Sequence, residues 1–180
     1  PIGVGSNSVL AAGGFSGPVA NFGVEDHMTK TLRTGKDLND RRLVRELAVN
    51  GEKEFEFLKQ IGVDLIPQPS GYWVDKKLFP VKILGGRIIV KKLIQEALKY
   101  NQIRFFPNTF VYKLLLQDDR VSGVIGFDKD HDLCLISSKS IILATGGGGG
   151  IYERNDNYKR MLGDGYALAM EIGLPLFDME

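Results

Sequence analysis

Apolar residues recur at helical spacing in three stretches of this chain and at strand spacing in a fourth. The changeover divides the sequence near residue 102. "VEDHMTKTLRTG" predicts a short helix from about Val24, closed by Gly35 in the C-terminal glycine position. A second helix starts after Asn39 or Asp40 as its cap. Leu43, Leu47, Glu54/Phe55, Leu58 and Ile61 fall on its inner face, and Gly62 ends it. "IPQPSGYWVDKKLFP" and "ILGG" are turn-rich and enclose a small hairpin, in which Tyr72 and Trp73 pack. A third helix covers about Arg87 to Asn101, with Val90, Leu93, Ile94, Ala97 and Leu98 inward.

Beyond that point the period falls to two. Residues 103–145 predict four or five strands, with "QDDR" and "DKDHD" as hairpin turns. "IILA" (141–144) is apolar throughout, as expected of a strand buried on both faces. "GDGYALAMEIG" predicts a helix from Asp164, followed by a strand, "LPLFDM". Residues 1–23 are rich in small side chains and read as ordered loop, with a helical turn around Ser8 to Ala12. The whole reads as a mixed α/β protein: a central, largely parallel sheet with an added antiparallel meander.

Composition narrows the function classes. With 23 basic and 22 acidic residues the net charge is +1, so no bulk field points to nucleic acid or to a membrane surface. Cys134 is the sole cysteine, which excludes a disulfide framework and a thiolate metal cage and makes a reducing, cytoplasmic setting the default. No apolar run reaches the ~18 residues of a spanning helix, so direct membrane insertion is not expected. The 180 residues fit a single domain, 1–180; a start at Pro1 and a stop within "LFDME" read as cuts in a larger polypeptide. Glycine is the outlier, at 22 residues, well above the roughly 7% average.

Three glycine-bearing stretches are the candidate chemistry. "GGGGG" (146–150) follows the apolar strand directly and is either a flexible linker or a loop whose backbone meets a flat or phosphorylated ligand. In "GDG" (163–165), Asp164 either caps the helix or accepts hydrogen bonds from a polyol or ribose. "SNSVLAAGG" (6–14) is either a tight packing loop or a third ligand contact. His27 and His131 lack metal-ligand spacing and read as surface residues; no metal site is expected.

Taken in order, "SNSVLAAGGF", "ILATGGGGGIY" and "GDGYALAMEIGLPLFDME" resemble the flavoprotein subunit of succinate dehydrogenase and fumarate reductase, with L-aspartate oxidase as a relative. "EDHMTKTLRTGKDLNDRRLV" and "FEFLKQIGVDL" fit the same pattern, so the resemblance covers nearly the whole chain. It implies an FAD-binding, Rossmann-like domain. Ser6, Asn7, Ser8, Ala12, Gly13, Gly14, Ala144, Thr145, Gly146 and Asp164 become the implied flavin contacts, with Val111 beside the adenine. It explains two glycines of the run; Gly148 to Gly150 are in excess.

Two departures shape the reading. Respiratory members carry a histidine bonded covalently to FAD where this chain has Asn7, so non-covalent FAD is expected. The family's G-x-G-x-x-G turn and its substrate-binding histidines and arginines do not occur here, so no catalytic residue is assigned. The implied reaction is two-electron redox of a small dicarboxylate, with an iron–sulfur or other electron-transfer subunit as partner and membrane association through it. The rival readings are an L-aspartate oxidase-like or other-substrate FAD dehydrogenase, and a non-catalytic α/β binding module.

Overall fold

The computed structural model describes residues 2–77, 84–177 and 179. Parts of "KKLFP", of "ILGG" and of the expected final strand therefore lie outside the described residues. Contacts fall into two compact units, Ser8–Ile103 and Pro1–Asn7 with Arg104–Glu180. A one-turn helix, α1 (Asn7–Leu10), straddles that division in sequence.

The Ser8–Ile103 unit joins helices to a small sheet. Helices α2 (Val24–Thr34), α3 (Arg41–Gln60) and α4 (Gly85–Ala97) accompany strands β1 (Gly14–Ser16), β2 (Leu65–Gln68) and β3 (Gly71–Val74). The sheet runs β1-β3-β2, antiparallel throughout, with Phe15 opposite Tyr72 and Ile66 opposite Trp73. The β2–β3 hairpin is the expected one; β1, read from sequence as loop, is its third strand. Val63, Val74 and Ile88 form the core, and Phe15, Leu58, Ile61 and Leu65 pack against it.

Asp40 is the cap of α3: its carboxylate accepts from the Arg42 amide at 2.8 Å. Hydrogen bonds from Arg42, first side chain then backbone, lower its pKa to about 2. Phe55, Leu58 and Ile61 lie on the expected inner face of α3, but its N-terminal half is turned by one position. Val44 and Ala48 are buried there, while Leu43 and Leu47 are 69% and 60% exposed. Further along, a β-carbon on Gly51 would meet the Pro18 ring at 2.9 Å, and one on Gly17 the Phe55 ring at 2.5 Å, so the helix packs closely against this loop.

Helix α4 begins two residues before the expected Arg87 and buries its first turn, Gly85, Gly86 and Ile88; Leu93 and Leu98 are exposed. Gly35 has φ −80° rather than a left-handed backbone. The positive φ values belong to Lys36 and Asp37, and a Gly35 β-carbon would run into the Asn39 side chain. His27 is no surface residue. It is 3% exposed, with Nδ1 lacking a hydrogen-bond partner and its ring edge-on to Phe22. Burial first, then the Lys30 charge, lowers its pKa. His131 is exposed in the expected turn, at φ 67°.

The other unit holds the meander β4 (Phe110–Gln117), β5 (Arg120–Phe127), β6 (Leu133–Ser137), in that sheet order and antiparallel. Its first turn places Asp118 and Asp119 at φ 51° and 58°, the left-handed pair a two-residue hairpin needs. In the second, Asp128 Oδ1 accepts from the amides of Asp130 and Asp132. Three strands form where four or five were expected, because 103–109 and 141–144 have no ladder partner among the described residues. No pair of described strands is parallel. The expected central parallel sheet is therefore not formed among these residues, since a parallel strand needs a neighbour delivered by a crossover. Ile142, expected to be buried, is 92% exposed for the same reason. Helix α5 (Asp164–Glu171) closes the unit.

Candidate functional site

In the Ser8–Ile103 unit, the "AAGG" stretch is held by main-chain bonds alone. The Gly85 and Gly86 amides of the α4 N-terminus donate to the carbonyls of Ala12 (3.2 Å) and Ala11 (2.9 Å), and the Val74 amide donates to Gly13 O (2.9 Å). Gly13 has φ 94°, and a β-carbon there would stand 2.6 Å from Gly85 Cα. Two glycine-bearing backbones thus meet with no side chain between them. The other side of the stretch borders a groove of about 380 Å³, lined by Ala12, Gly13, Gly14, Ser70, Trp73 and Lys30. Lys30 Nζ donates to Ser70 Oγ at 2.8 Å, the one charged group among the described residues that line this groove. Ser8 is exposed, and its carbonyl lies against Gly86.

In the second unit, residues 141–145 lead from the meander into the glycine run. Val111, Leu114, Ile142, Thr145, Asp164 and Leu168 line a groove of about 400 Å³. Val111, Thr145 and Asp164 are three of the residues singled out from the sequence. Their meeting depends on Gly165, whose β-carbon would fall on the Thr145 hydroxyl; a bare α-carbon lets the 141–145 segment approach α5. Asp164 does not cap α5. Gly163 occupies the cap at φ 83°, and Asp164 is the exposed first residue of the helix, where its charge complements the helix dipole. Ala144 is exposed beside the groove.

The five glycines divide into two sets. Gly146, at φ 79°, passes close to Met161 Sδ, while Gly147 has nothing nearer to a would-be β-carbon than Tyr166 Oη at 3.6 Å. The last three are packed from within the unit, Gly149 and Gly150 by the covering segment 152–162. Gly148 lies against Tyr166 and Gly163, Gly149 against the Asn157 amide, and Gly150 against the Met161 backbone, to whose carbonyl its own amide donates at 2.8 Å. So the run is a packed loop rather than a linker, and the glycines beyond the resemblance serve this internal contact.

Asn7 uses both ends of its side chain within the protein. Its Nδ2 donates to Asn157 Oδ1 at 2.6 Å, and its Oδ1 accepts the Tyr158 amide at 2.7 Å. Ser6 is half-buried beside it. Of the sequence-derived residues, Ser6, Asn7, Val111, Ala144, Thr145, Gly146 and Asp164 belong to one unit and Ser8, Ala12, Gly13 and Gly14 to the other. Sequence reasoning missed Gly85, Gly86, Gly165 and Asn157. The glycine pair at 85–86 had a signal: glycine in a helix's first turn forfeits stability unless close packing needs it. Asn157 had none. Among the described residues no group of three His, Cys, Asp or Glu side chains is placed to hold a metal, and no helix is long and apolar enough to cross a membrane.

The comparisons with known proteins decide the family. Residues 3–180 match the sequence model of the FAD binding domain. The chain belongs to that family. It is 37% identical over 186 residues to the fumarate reductase flavoprotein subunit of Proteus vulgaris, covering 97% of this chain and 31% of that protein. It is 29% identical over 187 residues to an FAD-dependent oxidoreductase of Methanocaldococcus jannaschii, covering 96% of this chain and 34% of that one. An Escherichia coli quinol fumarate reductase variant superposes with a TM-score of 0.85 at 25% identity, over 99% of this chain and 32% of that chain. The chain thus spans about a third of the length of the curated relatives it matches. It is an FAD-binding domain of the type found in fumarate reductase and succinate dehydrogenase flavoproteins. The residues present fit that cofactor: the hydroxyl of Thr145, the carboxylate of Asp164 and the apolar side chain of Val111 line one groove.

Proposed function

We propose that this chain supplies the FAD-holding part of an oxidoreductase that carries out two-electron redox of a small dicarboxylate. The observation that carries the reading is the convergence of Val111, Thr145 and Asp164 on one groove at the head of the glycine run. Asp164 would accept hydrogen bonds from the cofactor's hydroxyl groups, as a carboxylate with no side-chain partner among the described residues can. Thr145 offers a hydroxyl at the end of the 141–145 segment, and Val111 an apolar wall for the adenine. Ser6, Asn7, Ala144 and Gly146 in the same unit, and Ser8, Ala12, Gly13 and Gly14 in the other, are the remaining flavin contacts of this reading, in which residues 1–180 serve as one domain. FAD, when bound, supplies hydride-type transfer at its ring system. This chain orients it and shapes its surroundings; catalytic groups for the substrate are not assigned to it.

The dicarboxylate follows from the relatives, which are named as fumarate reductases and succinate dehydrogenases. Several are named as flavoprotein subunits, which supports an electron-transfer subunit, iron–sulfur or other, as partner. Membrane association would then come through that partner from the cytoplasmic side. Asn7 supports non-covalent attachment, because a carboxamide does not form the tether a histidine does. The test is the visible spectrum of the natural-length protein before and after acid precipitation, followed by assay of fumarate reduction with a reduced dye. Flavin bands that pass into the supernatant, with fumarate-dependent oxidation of the dye, are expected. A protein that takes up no FAD overturns the proposal; flavin retained in the pellet overturns its non-covalent part.

A further inference from the structure

We infer that Asn7 is a positioning residue, whose side-chain amide clasps Asn157 and Tyr158 and so holds the covering segment 152–162 down on the glycine run. The inference rests on the FAD reading above for its consequence, though not for its geometry. A chain of contacts leads from Asn7 to the loop. Asn7 Oδ1 accepts the Tyr158 amide, and Tyr158 O accepts the Met161 amide at 2.9 Å. Met161 O in turn accepts the Gly150 amide at 2.8 Å, and Met161 Sδ lies close over Gly146. A second arm runs from Asn7 Nδ2 to Asn157, whose amide sits on Gly149.

The local structure is built around this clasp. Asn155 Oδ1 accepts the Asn157 amide at 2.8 Å and its Nδ2 donates to Tyr152 O at 2.5 Å, so the segment is already folded into a turn when Asn7 meets it. Gly5, at φ 90°, leaves room for the Tyr158 ring: a β-carbon there would be 2.7 Å from the phenolic oxygen. The task needs a planar group with a donor and an acceptor side by side. Asparagine is one; alanine is not. Aspartate can substitute, because the Asn157 amide, turned by about 180°, presents its N–H₂ to a second carboxylate oxygen. Both polar atoms of Asn7 take part in the clasp, and its effect on the cofactor runs through Gly146.

The test compares Asn7→Ala, Asn7→Asp, Asn157→Ala and the double alanine variant in the natural-length protein. Two quantities are read: amide hydrogen exchange over 149–161, and the FAD dissociation constant with the flavin absorption spectrum. Asn7→Ala is expected to speed exchange at Tyr158 and Gly150, to shift the flavin bands and to raise the FAD dissociation constant about tenfold, as befits the loss of one to two hydrogen bonds. The double variant should be little worse than Asn7→Ala, and Asn7→Asp should restore both readouts. Weakened FAD with unchanged exchange would make Asn7 a direct contact and overturn the inference. So would unchanged exchange alone, or additive effects of the two alanines. If the parent protein binds no FAD, the proposed function fails, while exchange in the cofactor-free protein still decides the clasp. Should Asn7→Ala not fold, Asn157→Ala removes one arm from the opposite side and is read in the same way.

Discussion

The hydroxyl of Thr145 occupies the space that a β-carbon on Gly165 would need. Gly165→Ala therefore sets two effects against each other. Alanine favours a helix interior over glycine by about 1 kcal/mol. Forcing a methyl against Thr145 at a buried site costs about 1–3 kcal/mol. The second wins, because the obstructing atom belongs to a short, branched side chain rather than a flexible one. The variant is expected to lower the melting temperature and the FAD content together. Adding Thr145→Ala should recover the melting temperature but not the FAD content. Recovery of both would remove Thr145 from the cofactor site.

Asp164 offers a cleaner separation of binding from folding. The cap of α5 is Gly163, so Asp164 contributes to stability only through the helix dipole, about 0.3–1 kcal/mol at an exposed first turn. Asp164→Asn should leave the melting temperature of the cofactor-free protein nearly unchanged. It should weaken FAD at least several-fold, as expected when a charged acceptor becomes neutral. Fluorescence titration with FAD checks this. Loss of stability with intact affinity would return Asp164 to a purely structural role.

The two ends of the "AAGG" contact are expected to be equally intolerant. Gly13→Ala meets Gly85 Cα and places a side chain at φ 94°; Gly86→Ala meets the Ser8 carbonyl and Ala11. Backbone cannot swing aside as a side-chain tip does, so each substitution should cost about 1–3 kcal/mol or more. Chemical denaturation measures it. A tolerated Gly86→Ala would show that the α4 N-terminus does not pack as described. The control is Gly173→Ala. It is equally left-handed, at φ 78°, but faces open space, so only the backbone cost should appear there.

What the sequence disclosed follows from the range of the interactions involved. Helix α3, its Asp40 cap and its Gly62 stop are local, and they were legible. So was the β4–β5 hairpin, because paired aspartates suit a left-handed turn. The rotation of the N-terminal half of α3 was not. Leu43 and Leu47 satisfy the helical period as well as Val44 and Ala48 do, so the period alone does not choose between the two faces. At the site, Thr145 and Asp164 came from motif order, whereas Gly165 and Asn157 act through contacts 20 and 150 residues away. The exposed Ile142 marks the opposite failure: an apolar run predicts burial, but it does not supply the neighbouring strand.

His27 gives the pH dependence a sign. In the unfolded chain its imidazole titrates near 6.5; in the fold, burial and then the Lys30 charge hold it below that value. The unfolded state therefore takes up the proton first as the pH falls. The stability linked to His27 is fully present above about pH 6.5 and is lost as the pH drops through the range beneath. Among the described residues, buried Nδ1 has no hydrogen-bond partner, so an N–H formed there on protonation meets no acceptor that would offset the loss. Melting temperatures measured from pH 7.5 to 5 should fall for the parent protein. His27→Leu, which keeps the apolar contact with Phe22 and removes the titrating group, should flatten that decline. If the decline persists unchanged in His27→Leu, the proton is taken up elsewhere. Asp40 does not compete for this role, because with its pKa lowered to about 2 its own contribution is fully present above about pH 4 and is lost only beneath that.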